Sequence, residues 1–176
     1  MNARRVLVAG VGNIFFGDDA FGCEVLRALA ARSLPAGVHI RDFGIRGHDL
    51  AYTLAEGWDE AVLVDATPRG KRPGELTVLE LEMPVPAKAS DAAPAGHALD
   101  PVSVLQFAAG LGAPVGRLFL VGCEPAVLES EAGAMELSAL VRAAVPRAVA
   151  AIEALIAELN SSSAKPPVGP VLAANP

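Results

Sequence analysis

The sequence has little cysteine, few aromatic residues and fewer basic than acidic side chains. Its two cysteines, Cys23 and Cys123, are too few for a disulfide framework or a zinc knuckle. Fourteen Lys and Arg against twenty Asp and Glu give a net charge of −6, and no dense basic stretch is present to neutralise phosphates. We therefore expect no nucleic-acid partner.

Long hydrophobic runs are also missing. Stretches such as Val6–Val11 fall far short of the roughly 20 apolar residues that a membrane helix needs. Two arginines precede this run, but Gly12 and Asn13 end it and Asp18 and Asp19 follow, a pattern unlike a signal peptide. The sequence predicts a cytoplasmic protein without a membrane partner.

What the chain does contain is enough apolar surface for one domain. It has 176 residues, 52% of them hydrophobic, and runs typical of strands alternate with segments of helical periodicity. This alternation predicts a single-domain α/β/α sandwich with a mostly parallel twisted sheet of about five strands, over residues 1–160. Residues 161–176 are rich in Ser, Pro and Ala and are predicted to form a disordered tail.

The predicted elements follow the apolar patterns and the turn residues between them. Strand 76–81 lies so close to the strand before it that it should be antiparallel or at an edge. A helix interrupted or kinked near Pro146 is expected at the end. The strands are predicted at 6–11, 38–43, 61–65, 76–81 and 118–122, and the helices at 20–32, 49–55, from about 100, and 137–159.

Candidate functional residues follow the strand ends, where parallel sheets bind ligands. Asp18 and Asp19 come after the first strand, Asp65 ends the third, and His97 closes a long loop. Taken singly, each also fits a structural role, as a helix cap, a strand-end cap or a solvated loop histidine. Together, two carboxylates and one imidazole from three loops would suit a divalent metal such as nickel, zinc or manganese.

The glycine-rich first loop fits a dinucleotide-binding fingerprint poorly. Phe15 stands where the third glycine is required, and the acidic residue expected about 20 positions further on is missing, since Asp42 lies too far along the chain. A nucleophilic-serine motif and the His-Glu-x-x-His pattern of zinc peptidases are absent as well.

Several motifs are similar to those of one enzyme family. Gly10-Val11-Gly12-Asn13, followed by Gly17-Asp18-Asp19-x-x-Gly22, resembles the opening of the nickel-iron hydrogenase maturation endopeptidases. Val62-Leu63-Val64-Asp65-Ala66 and the strand ending in Gly122-Cys123-Glu124-Pro125 resemble later segments of that family. The similarity covers about residues 4–159.

The resemblance implies a hydrolase that removes a short C-terminal extension from the precursor of a nickel-iron hydrogenase large subunit after nickel insertion. It implies that Asp19, Asp65 and His97 contact the metal, which is the substrate's own nickel or another divalent ion, and that Asp19 and Asp65 are catalytic, as in aspartyl-type activity. Family members often carry Glu at the first of these positions, so Asp18 is an alternative to Asp19.

Two mechanisms and two functions stay open at this point. The metal either polarises the scissile carbonyl and activates water, or only positions the peptide while a carboxylate acts as the base. Instead of cutting, the same three residues could serve a non-enzymatic nickel-binding module that inspects a maturing hydrogenase subunit. Only an enzyme would shorten the precursor by a defined peptide.

Overall fold

A computed structural model describes residues 4–85, 101–128 and 136–161, which form a five-stranded sheet covered by helices. The strand order is β2-β1-β3-β5-β4, with β4 antiparallel at one edge and the other strands parallel. The strands are β1 (Val6–Val11), β2 (Val38–Gly44), β3 (Trp58–Ala66), β4 (Leu76–Leu81) and β5 (Val115–Cys123), and the helices are α1 (Phe21–Ala30), α2 (Gly47–Ala55), α3 (Pro101–Gly110) and α4 (Ala139–Ser161).

The central strands are apolar on both faces because helices cover both. Val8 and Val62 pack against α1 and α4 on one face, in a cluster with Phe21 and Ile152. Their neighbours in the strands point the other way, into a second cluster formed with α2 and α3. The predicted α/β/α sandwich, its mostly parallel sheet of five strands and the antiparallel edge strand are confirmed.

The helices differ from the sequence-based expectation in their boundaries, which shift by one or two residues, and in the following features. A 3-10 turn, Gly17–Ala20, precedes α1, and neither Asp18 nor Asp19 caps that helix through its side chain. The final helix, α4, continues across Pro146 without interruption. It also includes Ser161, whose hydroxyl donates to the Glu158 carbonyl, so the helix extends one residue into the predicted tail. Within the described ranges, no helix is both long and apolar enough to cross a bilayer.

Candidate active site

The turn that carries Asp19 is shaped by close backbone packing after β1. Gly12 has a φ of +130°, and a Cβ at this position would overlap the Asp19 carbonyl oxygen. The amide of Asn13 donates a hydrogen bond of 2.7 Å to the Asp19 carboxylate. These contacts hold the half-buried Asp19 side chain at the carboxyl end of the sheet.

The start of α1 lies directly on two strands, which places the Asp19 turn beside β3. A Cβ at Gly22 would overlap the carbonyl oxygens of Val64 and Val11. A Cβ at Gly10 would lie 2.8 Å from the Gly22 carbonyl oxygen, too close for any larger residue. The three glycines of the opening motif that surround Asp19 are therefore required by packing, without any bound nucleotide.

Asp65 is the second-last residue of β3, and it is only 9% exposed. Burial raises the pKa of its carboxyl from 3.8 to about 7, and the negative charge of Asp19 contributes in the same direction. Burial also raises the pKa of Asp19, against the lowering effect of the Asn13 hydrogen bond. The structure thus brings Asp19 and Asp65 together as an electrostatically coupled pair.

Asp18 has a different environment, although it is the next residue in the chain. Its carboxylate is 1% exposed and accepts hydrogen bonds from the amides of Ala126, Val127 and Ser138 and from the Ser138 hydroxyl, at 2.7–3.0 Å. All four donors come from the segment between β5 and α4. Asp18 therefore holds the turn in place, and Asp19 is the carboxylate that interacts with Asp65.

His97, the third residue predicted for the site, lies outside the described residues. Within residues 4–85, 101–128 and 136–161, no cluster of three or more His, Cys, Asp or Glu side chains is arranged to hold a metal. The described part of the chain therefore supplies two members of the predicted set of three.

Asp42 is a third carboxylate at this end of the sheet, and the sequence analysis did not assign it to the site. It lies near the end of β2, where it accepts the Gly44 amide at 3.0 Å. The pKa of the neighbouring Cys23 thiol rises to about 12, first through burial and then through Asp42 and Asp19. The signal available in the sequence was the one used for Asp65, a carboxylate at the end of a strand.

Glu124 fixes the chain that follows Asp65. Its buried carboxylate accepts hydrogen bonds from the amides of Arg69, at 2.7 Å, and Gly70, at 3.2 Å. The Thr67 amide donates to the Cys123 carbonyl at 2.8 Å. These bonds limit how far the end of β3 can move, so the buried position of Asp65 is maintained by β5 and the residues after it.

Comparisons with known proteins show which family the chain resembles. A family model described as HycI, hydrogenase maturation protease, matches residues 23–155. The hydrogenase expression/formation protein HupD of Rhizobium leguminosarum is 35% identical over 160 residues, covering 90% of this chain and 76% of HupD. The hydrogenase 2 maturation protease of Escherichia coli is 34% identical over 151 residues, covering 84% of this chain and 90% of that protein.

A solved structure shows the same fold. The hydrogenase maturating endopeptidase HybD from E. coli superposes with a TM-score of 0.69 at 28% sequence identity, covering 88% of this chain and 93% of HybD. The match of the family model extends over more than half of the chain, and it includes Asp42 and Asp65. The chain therefore belongs to the hydrogenase maturation protease family, a family of peptidases.

Proposed function

We propose that this chain removes a C-terminal extension from the precursor of a nickel-iron hydrogenase large subunit once nickel has been inserted. The observation that carries the proposal is the pair formed by Asp65, at the carboxyl end of β3, and Asp19, in the turn that follows the adjacent strand β1, in a chain of a peptidase family. Relatives named as hydrogenase maturation proteases support the substrate class.

Asp65 has the properties of a general base that works near neutral pH. With a pKa of about 7, its carboxyl is partly deprotonated there and is more basic than an ordinary carboxylate. The Asn13 amide orients Asp19, and the negative charge of Asp19 adds to the basicity of Asp65. In this mechanism Asp65 takes a proton from water as the water attacks the scissile carbonyl. The protonated Asp65 then gives the proton to the leaving amide nitrogen as the C–N bond breaks.

In a second mechanism, the pair instead holds a cation that arrives with the substrate. Burial raises the pKa of both carboxyls, and the charge of Asp19 adds to the rise at Asp65, so a positive charge beside them would relieve these effects. Asp19 and Asp65 would contact the nickel of the precursor, or another divalent ion, with His97 as the expected third contact. When bound, such an ion would polarise the scissile carbonyl.

A cleavage assay with the purified chain tests this function. We expect a nickel-loaded precursor to lose a defined C-terminal peptide, seen as a single mass change, and a nickel-free precursor to stay intact. Asp65→Asn should abolish this mass change. Glu80 is an exposed carboxylate on β4 that pairs with Arg117, and Glu80→Gln should leave the mass change unaltered. A precursor that is bound but never shortened would instead favour the nickel-binding assembly module.

A further inference from the structure

Large apolar side chains are exposed next to the candidate site. Ile14, Phe15 and Phe16 are consecutive and are 46%, 57% and 46% exposed, and Ile45 on the neighbouring loop is 63% exposed. The chain has only six phenylalanines, and two of them are in this group. We refer to these four residues as the mouth patch.

Hydrogen bonds connect the mouth patch directly to Asp19. The Phe16 carbonyl accepts the Asp19 amide at 3.0 Å, and the residue before Ile14, Asn13, donates to the Asp19 carboxylate. The Gly12 amide donates to the Gly44 carbonyl at 3.0 Å, which joins the loop of Ile14–Phe16 to that of Ile45. The patch therefore borders the carboxylates.

The loop presents these side chains in a defined conformation. The Asn13 side-chain oxygen accepts the Phe15 amide at 3.0 Å, and the Asn13 carbonyl accepts the Phe16 amide at 3.1 Å. The amides of Phe15 and Phe16 are thus satisfied locally, while about half of the surface of each side chain from Ile14 to Phe16 stays exposed. Apolar side chains grouped on a surface in this way are typical of a binding site.

We propose that the mouth patch binds an apolar segment of the precursor polypeptide, free of acidic residues, that flanks the bond to be cut. The proposal rests on the proposed function, because a peptidase must hold its polypeptide with the scissile bond at the carboxylates. Acidic residues are disfavoured by Asp19, Asp42 and Asp65 at the same rim and by the net charge of −6. Buried aromatic side chains commonly supply most of the affinity of such an interface.

Binding can be measured apart from cleavage in an Asp65→Asn background, with the nickel-loaded precursor as the probe. Every variant carries this substitution, so the loss of the proposed Asp65 contact to nickel is common to all the Kd values compared. Replacing Phe15 and Phe16 together by Ser should raise Kd about tenfold or more. Replacing both by Leu keeps apolar contact and should change Kd by less than about threefold. Both side chains are exposed, so thermal unfolding should confirm that the Ser variant folds as the parent does.

Val78→Ser is the matched control. Val78 is 46% exposed, like Ile14 and Phe16, but it lies on β4, three strands away from β1. Its substitution should leave Kd unchanged. An equal loss of affinity in the Val78 variant would mean that any exposed apolar side chain contributes, and the mouth patch would then not be the docking surface.

Kinetics in the otherwise unchanged chain separate this proposal from the proposed function. The Phe15 and Phe16 Ser variant should show a KM raised about tenfold with an unchanged kcat, since these side chains hold the substrate without contacting the reacting atoms. Cleavage with an unaltered KM would overturn the docking proposal and leave the function standing. Binding that depends on the patch but is not followed by cleavage would overturn the proposed function and leave the docking proposal standing. The absence of both binding and cleavage would overturn both proposals.

Discussion

Asp18 and Asp19 are adjacent in the chain, yet their carboxylates have different environments. Asp18 is saturated by four protein donors in the interior, whereas Asp19 accepts the Asn13 amide and interacts with Asp65 through its charge. Four hydrogen bonds satisfy the Asp18 carboxylate, while burial raises the pKa of Asp19 and of Asp65 and the charge of Asp19 adds to the rise at Asp65. Stability and activity should therefore respond differently to each substitution.

Asp65→Asn should change how stability depends on pH. The pKa of Asp65 is raised to about 7 in the folded chain, so the folded state binds this proton more tightly, and stability is lost as pH rises from about 4 to about 7. The Asn variant lacks this loss and should be more stable than the parent at pH 8 by about 1–4 kcal/mol. Urea unfolding at pH 5 and pH 8 measures the difference in the free energy of unfolding between the variant and the parent. An equal difference at both pH values would contradict a raised pKa for Asp65.

Asp18→Asn should destabilise the fold, and Asp19→Asn should not. An amide at position 18 loses the charge of its hydrogen-bond acceptor, and its single NH2 group faces either the Ser138 amide or the amides of Ala126 and Val127, all of which are donors. We expect a loss of about 1.5–3 kcal/mol in the free energy of unfolding. Asp19→Asn should instead abolish precursor cleavage at nearly unchanged stability. Denaturant titration and the cleavage assay, run on both variants, test the two roles together.

At the scale of elements, the site depends on how closely α1 approaches the sheet. The backbone around Gly22 lies against β1 and β3 with no room for a side chain, and this contact sets the 3-10 turn over the end of the sheet. The neighbours of a Cβ there are carbonyl oxygens of strands, which cannot rotate away as a side chain would. The position of Asp19 relative to Asp65 therefore follows from glycine packing.

Gly22→Ala should disrupt this packing. We expect a loss of stability of about 1–3 kcal/mol or more and a fall in cleavage, because the added methyl group must push α1 away from Val64 and Val11. Gly110→Ala is the matched control, since a Cβ there meets nothing within 4 Å at the end of α3. The free energy of unfolding of the Gly110→Ala variant should be unchanged or higher by up to about 1 kcal/mol. Equal melting temperatures for the two variants would argue against the close contact.

At the scale of the molecule, the fold is held by two apolar clusters, one on each face of a single sheet. The cluster on the α1 side extends along α4 as far as Leu159, near the end of that helix. The carboxyl ends of β1, β2 and β3 lie at one rim of the sheet, with Asp19, Asp42 and Asp65 close to them. A rigid sheet therefore fixes the distances between residues that are far apart in the chain.

Removing residues 162–176 should change thermal stability and precursor processing little. Their Ser, Pro and Ala composition offers almost no apolar periodicity with which to offset the entropy of ordering a chain. The truncation keeps Ser161, which belongs to α4. We expect the melting temperature to stay within about 2 °C and precursor processing to continue. A large fall in either would show that the segment packs on the domain or on the substrate.

The sequence alone determined the order and type of the elements in this chain. Runs such as Val6–Val11 are buried on both faces of the sheet. A strand buried in this way must be apolar at every position, and this pattern is visible within a few residues of sequence. Asp65 was identifiable for a similar reason, because a carboxylate that ends a buried strand interrupts an otherwise apolar pattern. The glycine and aspartate motif after β1 was specific enough to indicate the family.

Only the tertiary structure distinguishes the environments of Asp18 and Asp19. The donors that occupy Asp18 lie 108–120 positions further along the chain, so no local pattern shows that this carboxylate is satisfied. The same applies to the raised pKa of Asp65, which comes from burial and from the charge of Asp19 on another loop. Propensity and periodicity act between near neighbours in sequence. Desolvation and charge act through space, and these two effects set the pKa of the carboxyls at this site.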